Sequence, residues 1–214
     1  MSKKFRIQVP KTHYFKGYDS LKRFISYFYQ IDLVRRLQPK KVLEVGIGNR
    51  ITADYLKQSG IKIDTCDFDK NLEPDYVADI RKLPFKDSSY DIIMAYEILE
   101  HIPWKDVNKT LNEFYRVSKK YVLISIPYRI ISFEFILKVP LIGRILRKPF
   151  INLFLGIPRF FTKIKFSGEH YWEMGRRNYS PRKIRRTFRK HFRILKEVRP
   201  ILAPDYRFFI LEKK

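Results

Sequence analysis

Between residues 41 and 128, short apolar runs alternate with stretches of helical spacing, and this alternation restricts the fold more than any other feature. "KKVLEVG" and "YDIIMAY" are apolar without a polar alternate, the pattern of strands buried on both faces of a parallel sheet. "IKIDTCD", "DYVADI" and "YVLISIP" read as further strands. "ITADYLKQSG", closed by Gly60, and "WKDVNKTLNEFYRVSK", with Val107, Leu111 and Phe114 on one side, read as helices. In front lies "GYDSLKRFISYFYQIDLVRRLQP", with Asp19-Ser20 as cap and Leu21, Phe24, Ile25 and Phe28 at helical spacing before Pro39. Behind lies "SPRKIRRTFRKHF", with Ser180 as cap, Pro181 at the first helical position and Ile184, Phe188 and Phe192 as its apolar side. "RILKEVR" and "RFFILEK" close the chain, so the class is α/β with a mostly parallel sheet.

Length and charge bound what such a sheet can serve. At 214 residues, 45% of them hydrophobic, the chain suffices for one domain with a full core. Cys66 is the single cysteine, which suits a reducing interior. No apolar run reaches membrane-span length, and "MSKKFRIQVPK" lacks a signal-peptide core; the expected location is the cytoplasm, with the inner membrane face as a second station. The net charge of +23 is uneven: residues 129–214 hold 22 Lys/Arg against 6 Asp/Glu. That surplus suits a polyanionic partner, either RNA or an anionic membrane surface, or else a merely solvated basic surface.

"VLEVGIGNR" runs a strand into two glycines, where a tight turn brings backbone close to a ligand without a Cβ between. Asp67 ends the next strand, placed to accept ribose hydroxyls, and Asp79 ends the third. Together, "VLEVGIGNR", "CDFD" and "VADIRKLPFKDSSYDIIMAYEILEHIP" resemble class I S-adenosylmethionine-dependent methyltransferases. The resemblance implies a Rossmann-like doubly wound sheet, mostly parallel with an antiparallel last strand and helices on both faces. It also implies S-adenosylmethionine as cofactor, with Glu44, Gly46 and Gly48 at its methionine end and Tyr96 passing close by. Asp67 would hold the ribose, Phe68 would pack on adenine, Asp79 would bind the adenine amino group and the Ile80 N–H would reach a ring nitrogen. Arg50 stands where many members have a third glycine, which leaves the approach of the first helix open.

"YEILEHIP" sets Glu97, Glu100 and His101 at i, i+3, i+4, where a helical turn points all three at one ion. The run resembles that of the small-RNA 3′-terminal 2′-O-methyltransferases and of ubiquinone-pathway O-methyltransferases, and the former implies His170 as a fourth ligand to Mg or Mn. Without metal, His101 is the candidate general base and Glu100 its catalytic neighbour.

Residues 129–168 alternate apolar and basic side chains, among them Leu137, Lys138 and Val139, then Leu141, Ile142, Arg144, Ile145, Leu146, Arg147 and Lys148. They read as amphipathic helices forming an acceptor lid, covered by a membrane surface, by a second subunit in a homodimer, or by the sheet itself. The expected organisation is one domain over 1–214. It comprises cofactor-covering helices (1–40), a cofactor core (41–128), the lid (129–168) and a terminal helix with strands (169–214). The expected reaction is O-methylation of a small amphipathic, glycan or lipid-linked acceptor. RNA 2′-O-methylation and a non-catalytic cofactor-binding scaffold are the alternatives.

Overall fold

The computed structural model describes residues 7, 9–139, 150–164, 166 and 168–214. Its strands are β1 (Lys41–Val45), β2 (Lys62–Asp67), β3 (Tyr76–Val77), β4 (Tyr90–Tyr96), β5 (Ser118–Pro127), β6 (Ile130–Leu137), β7 (Ile151–Pro158), β8 (Phe192–Val198) and β9 (Tyr206–Lys213). The described helices are α1 (Leu21–Arg36), α2 (Ile51–Gln58), α3 (Trp104–Val117) and α4 (Pro181–Arg189). Seven strands form one sheet in the order β3-β2-β1-β4-β5-β9-β8. The first five strands are parallel, and β9 runs antiparallel between β5 and β8. This is the Rossmann-like arrangement the resemblance implies.

The unbroken apolar runs produce two cores because side chains alternate across a strand. On β1 and β4, Leu43 and Ile93 point to the side packed with Phe114 of α3 and with Ile184 and Phe188 of α4. Their neighbours Val42 and Ile92 point to the other side, against Leu33 and Val34 of α1 and Leu56 of α2. Each such side chain, fully withdrawn from water, contributes roughly 1.5–3 kcal/mol. The strand order reverses direction beside β1, between β2 and β4, and the crevice at their carboxyl ends is where such sheets bind ligands.

Three expectations need correction. In α1 the capping is as expected, with Ser20 Oγ accepting from the Arg23 N–H at 3.3 Å, but Leu21, Phe24 and Phe28 are exposed. The buried side is Ser26, Tyr27, Gln30, Leu33 and Val34, because this helix covers a polar crevice as well as a core. Helix α4 stops at Arg189, so Phe192 belongs to β8 while still packing in the same core. The lid is not helical where it is described. β6 and β7 pair antiparallel as a separate two-stranded ribbon, in register from Ile130 opposite Pro158 to Leu137 opposite Ile151. Leu141, Ile142, Arg144, Ile145, Leu146, Arg147 and Lys148 lie outside the described residues.

Candidate active site

A cavity of about 370 Å³ opens at the carboxyl ends of β1, β2 and β4. Its floor is the turn after β1, where Gly46 and Gly48 take φ of 77° and 51°. A Cβ on Gly46 would sit 1.9 Å from Ile98 Cδ1, so only glycine fits against the loop after β4. Arg50 answers the question of the missing third glycine. It adopts φ 67° itself, and its guanidinium donates to the Glu73 carbonyl at 2.6 Å, tying the start of α2 to the turn after β2.

Asp67 joins the same two turns. One carboxylate oxygen accepts from the Ile47 N–H at 3.1 Å and the other from the Asp69 N–H at 2.9 Å. Burial raises its pKa and these backbone donors oppose the rise. Each oxygen retains a lone pair for a further donor. Phe68, Leu72, Ile80 and Ile102 add apolar wall, and Tyr96 lines the cavity with its hydroxyl on the Gln30 carbonyl at 3.4 Å. Glu44 is buried in the cavity wall with no hydrogen-bond partner for Oε2 among the described residues, and desolvation, reinforced by Asp54, pushes its pKa up to about 8. The segment before α1 and the first turns of α1 close over this end: Tyr14, Tyr18 and Arg23 all line the cavity, and Asn49 donates to Tyr27 Oη at 2.7 Å.

The loop after β4 and the segment before α4 supply the reactive groups. Glu97 takes φ 54°, and its carboxylate accepts from Ser125 Oγ at 2.8 Å. Desolvation pushes its pKa up to about 7 against the opposing Ser125 hydroxyl and Arg23. Glu100 is fully buried, and neither of its carboxyl oxygens has a hydrogen-bond partner on another residue among the described ones. Burial, with Glu97 nearby, holds its pKa far above the carboxylate range. The His101 and His170 rings meet edge to face at 4.8 Å, and burial, helped by His170, lowers the His101 pKa to about 4. His170 Nδ1 lies 3.0 Å from Glu173, which also binds Arg129 at 2.7 Å and Arg176 at 2.9 Å. Trp172 anchors this segment, fully buried, with Nε1 donating to the Ile102 carbonyl at 3.2 Å.

Residues 43–126 match the family described as methyltransferase domain. That segment is similar in sequence to a methyltransferase domain. The chain's fold is similar to 1,6-didemethyltoxoflavin-N1-methyltransferase of Burkholderia thailandensis, solved with 1,6-didemethyltoxoflavin and S-adenosylhomocysteine (TM-score 0.63, 12% identity, 95% of this chain and 84% of that one). It is likewise similar to magnesium protoporphyrin IX methyltransferase of Synechocystis PCC 6803, solved with bound SAH (TM-score 0.57, 13% identity, 90% and 83%). These likenesses are of fold. An uncharacterized protein of Haemophilus influenzae is 34% identical over 99 residues, which span 38% of this chain and 39% of that protein. This chain therefore matches about two fifths of that relative's length.

Within the matched segment, Glu44, Gly46, Gly48, Asp67, Phe68, Ile80 and Tyr96 all line the same cavity. Asp79 does not: Arg81 grips its carboxylate at 2.7 Å and reaches on to Asp106 of α3 at 3.0 Å. Of the expected metal set, Glu100, His101 and His170 bring donor atoms within 4.8 Å of one another, and Glu97, held by Ser125, stands outside that group. Glu173 and Arg129 went unforeseen. The spacing of His170, Glu173 and Arg176, each three residues from the next, was the available signal.

Proposed function

We propose that the protein transfers a methyl group from S-adenosylmethionine to a hydroxyl of a small acceptor of glycan or lipid-linked type. The observation that carries this reading is one cavity holding both the glycine turn with its buried acids and a pair of imidazoles. The residues suit the cofactor: Glu44 Oε2 is buried without a partner among the described residues, and Gly46 leaves the room a Cβ would take. When bound, S-adenosylmethionine supplies an electrophilic methyl group on a sulfonium, so the protein's task is alignment and proton removal.

Asp67 accepts ribose hydroxyls with its remaining lone pairs, and Phe68, Leu72, Ile80 and Ile102 hold a flat ring between apolar walls. Glu44 presents a carboxyl to positive charge. Glu173 can only accept, so it fixes the proton of His170 on Nδ1 and leaves Nε2 to take the acceptor's proton. His101, kept uncharged by burial, orients that ring edge to face and donates to the Glu169 backbone carbonyl. Tyr18, Tyr206, Arg23 and Asp205 supply the stacking faces and polar groups that a polyhydroxylated acceptor needs.

Binding of S-adenosylhomocysteine by calorimetry, with turnover of labelled cofactor on glycan acceptors, tests this reading. Saturable binding that Asp67→Ala weakens, together with methyl transfer lost in His170→Gln, is the expected result. A folded protein that takes up no S-adenosylhomocysteine would end it.

The convergence of Glu100, His101 and His170 favours a second reading, in which a Mg or Mn ion is held by these three with Glu173 steadying His170. Such an ion would lower the pKa of the acceptor hydroxyl. Manganese binding followed by electron paramagnetic resonance, and its loss in Glu100→Gln, tests this; full activity in excess chelator rules it out.

A further inference from the structure

The β6–β7 ribbon stands apart from the seven-stranded sheet, and its two sides differ in kind. Alternation puts the odd-numbered residues together, as the cross-strand pairs Ile131–Ile157, Phe133–Leu155 and Phe135–Leu153. All six are exposed, Phe133 by 65% and Leu155 by 74%. The even-numbered side is the fastened one. Glu134 accepts from Asn152 at 2.9 Å, from Arg199 at 2.6 Å and from the Leu202 N–H at 3.0 Å, pinning the ribbon to the loop between β8 and β9. The ribbon thus turns a mixed side, in which Ile130, Ile136 and Phe154 accompany Glu134 and Asn152, to the protein and leaves its wholly apolar odd-numbered side to solvent. An apolar surface this continuous marks an interaction site.

Charge decides the occupant. Residues 129–168 contain eight Lys/Arg and one acid, Glu134, which Arg199 neutralises. Lys138, Arg159 and Lys163 are exposed around the ribbon, on a chain of net charge +23. A second copy would bring like charge against like charge, whereas an anionic bilayer brings the opposite sign at headgroup level and an apolar layer beneath it.

We propose that the odd-numbered side of this ribbon docks into the surface of an anionic lipid bilayer. At roughly 3.4 Å per residue, strands of this length make a ribbon about 27 Å long. It lies flat and shallow, so that its two unpaired strand edges keep water and phosphate partners. Arg129 precedes β6 and lines the cavity, so docking sets the cavity beside the membrane surface. The inference does not depend on the reaction catalysed.

Flotation of the full chain with phosphatidylcholine vesicles containing roughly 30% phosphatidylglycerol tests it, at physiological salt and beside pure phosphatidylcholine vesicles. Wild type should float with the anionic vesicles alone. Phe133→Ser/Leu155→Ser should lower the partition coefficient by about tenfold or more, with an unchanged melting curve because neither side chain belongs to a core. Should that pair unfold the protein, Phe133→Trp keeps the test open, since its emission should shift to the blue on anionic vesicles. Four results overturn the proposal: wild type that stays at the bottom; equal flotation of wild type and a folded double variant; a solution dimer that the double variant splits; or retention on RNA without flotation.

Discussion

Glu44 offers a direct physical test of the cavity. Its carboxyl is 5% exposed, and burial pushes its pKa up to about 8. In the unfolded chain it returns to about 4.3, so the difference spans roughly 3–4 units at about 1.4 kcal/mol each. Keeping it ionised within the fold therefore costs on the order of 5 kcal/mol, which water entering the cavity reduces toward ~2–3 kcal/mol. The unfolded state gives up its proton first, so stability is whole below about pH 4.3 and declines as pH rises. The decline ends once pH passes the folded value of about 8. Urea unfolding of wild type and Glu44→Gln across that range should show the variant gaining on wild type as pH increases. Curves that stay parallel would refute the burial argument. The same carboxyl should release nearly one proton at about pH 7 when a positively charged ligand enters, so the calorimetric heat of S-adenosylmethionine binding should track the buffer's ionisation enthalpy. Glu44→Gln should abolish that dependence.

Gly46→Ala forces a side chain into φ 77° and against Ile98, and should cost roughly 1–3 kcal/mol with a larger loss of cofactor binding; an unchanged S-adenosylhomocysteine affinity would contradict the close approach. Glu173, whose pKa is held well below the carboxylate range by His170, Arg129 and Arg176, stabilises the fold above about pH 4.3 and loses that contribution as pH falls toward its folded value. Glu173→Gln should cost roughly 3–5 kcal/mol at neutral pH, and the gap should narrow in acid, as urea melts at two pH values would show. Trp172→Ala removes a fully buried ring and its hydrogen bond to Ile102 and should cost about 3–5 kcal/mol by the same assay; a loss under ~1 kcal/mol would mean the segment before α4 is not anchored there.

The elements whose patterning serves the core could be read from the sequence, and those facing a ligand or partner could not. β1 and β4 are apolar on both sides because both sides are cores, and Ser180-Pro181 caps α4 by local chemistry alone. The glycine turn and Asp67 were legible because a backbone that must bend and a carboxylate that must accept leave few residue choices. α1 was misjudged because its inner side meets the cavity: Gln30 accepts from Thr52 at 2.6 Å and Tyr27 holds Asn49, so polar residues point in while Leu21, Phe24 and Phe28 point out. "IISFEFIL" does alternate from Ile131 to Phe135, but the spacing of the basic residues favoured helices, and the alternation says nothing of which side meets the protein. Both errors have one form. A pattern that assigns apolar residues inward fails where the protein turns a mixed side to itself and leaves an apolar side for something else. In α1 the inward polar side borders the cavity, and in the ribbon the outward apolar side is the surface proposed for the bilayer. Inverted patterning in an otherwise well-ordered α/β domain is therefore itself a pointer to where the molecule binds.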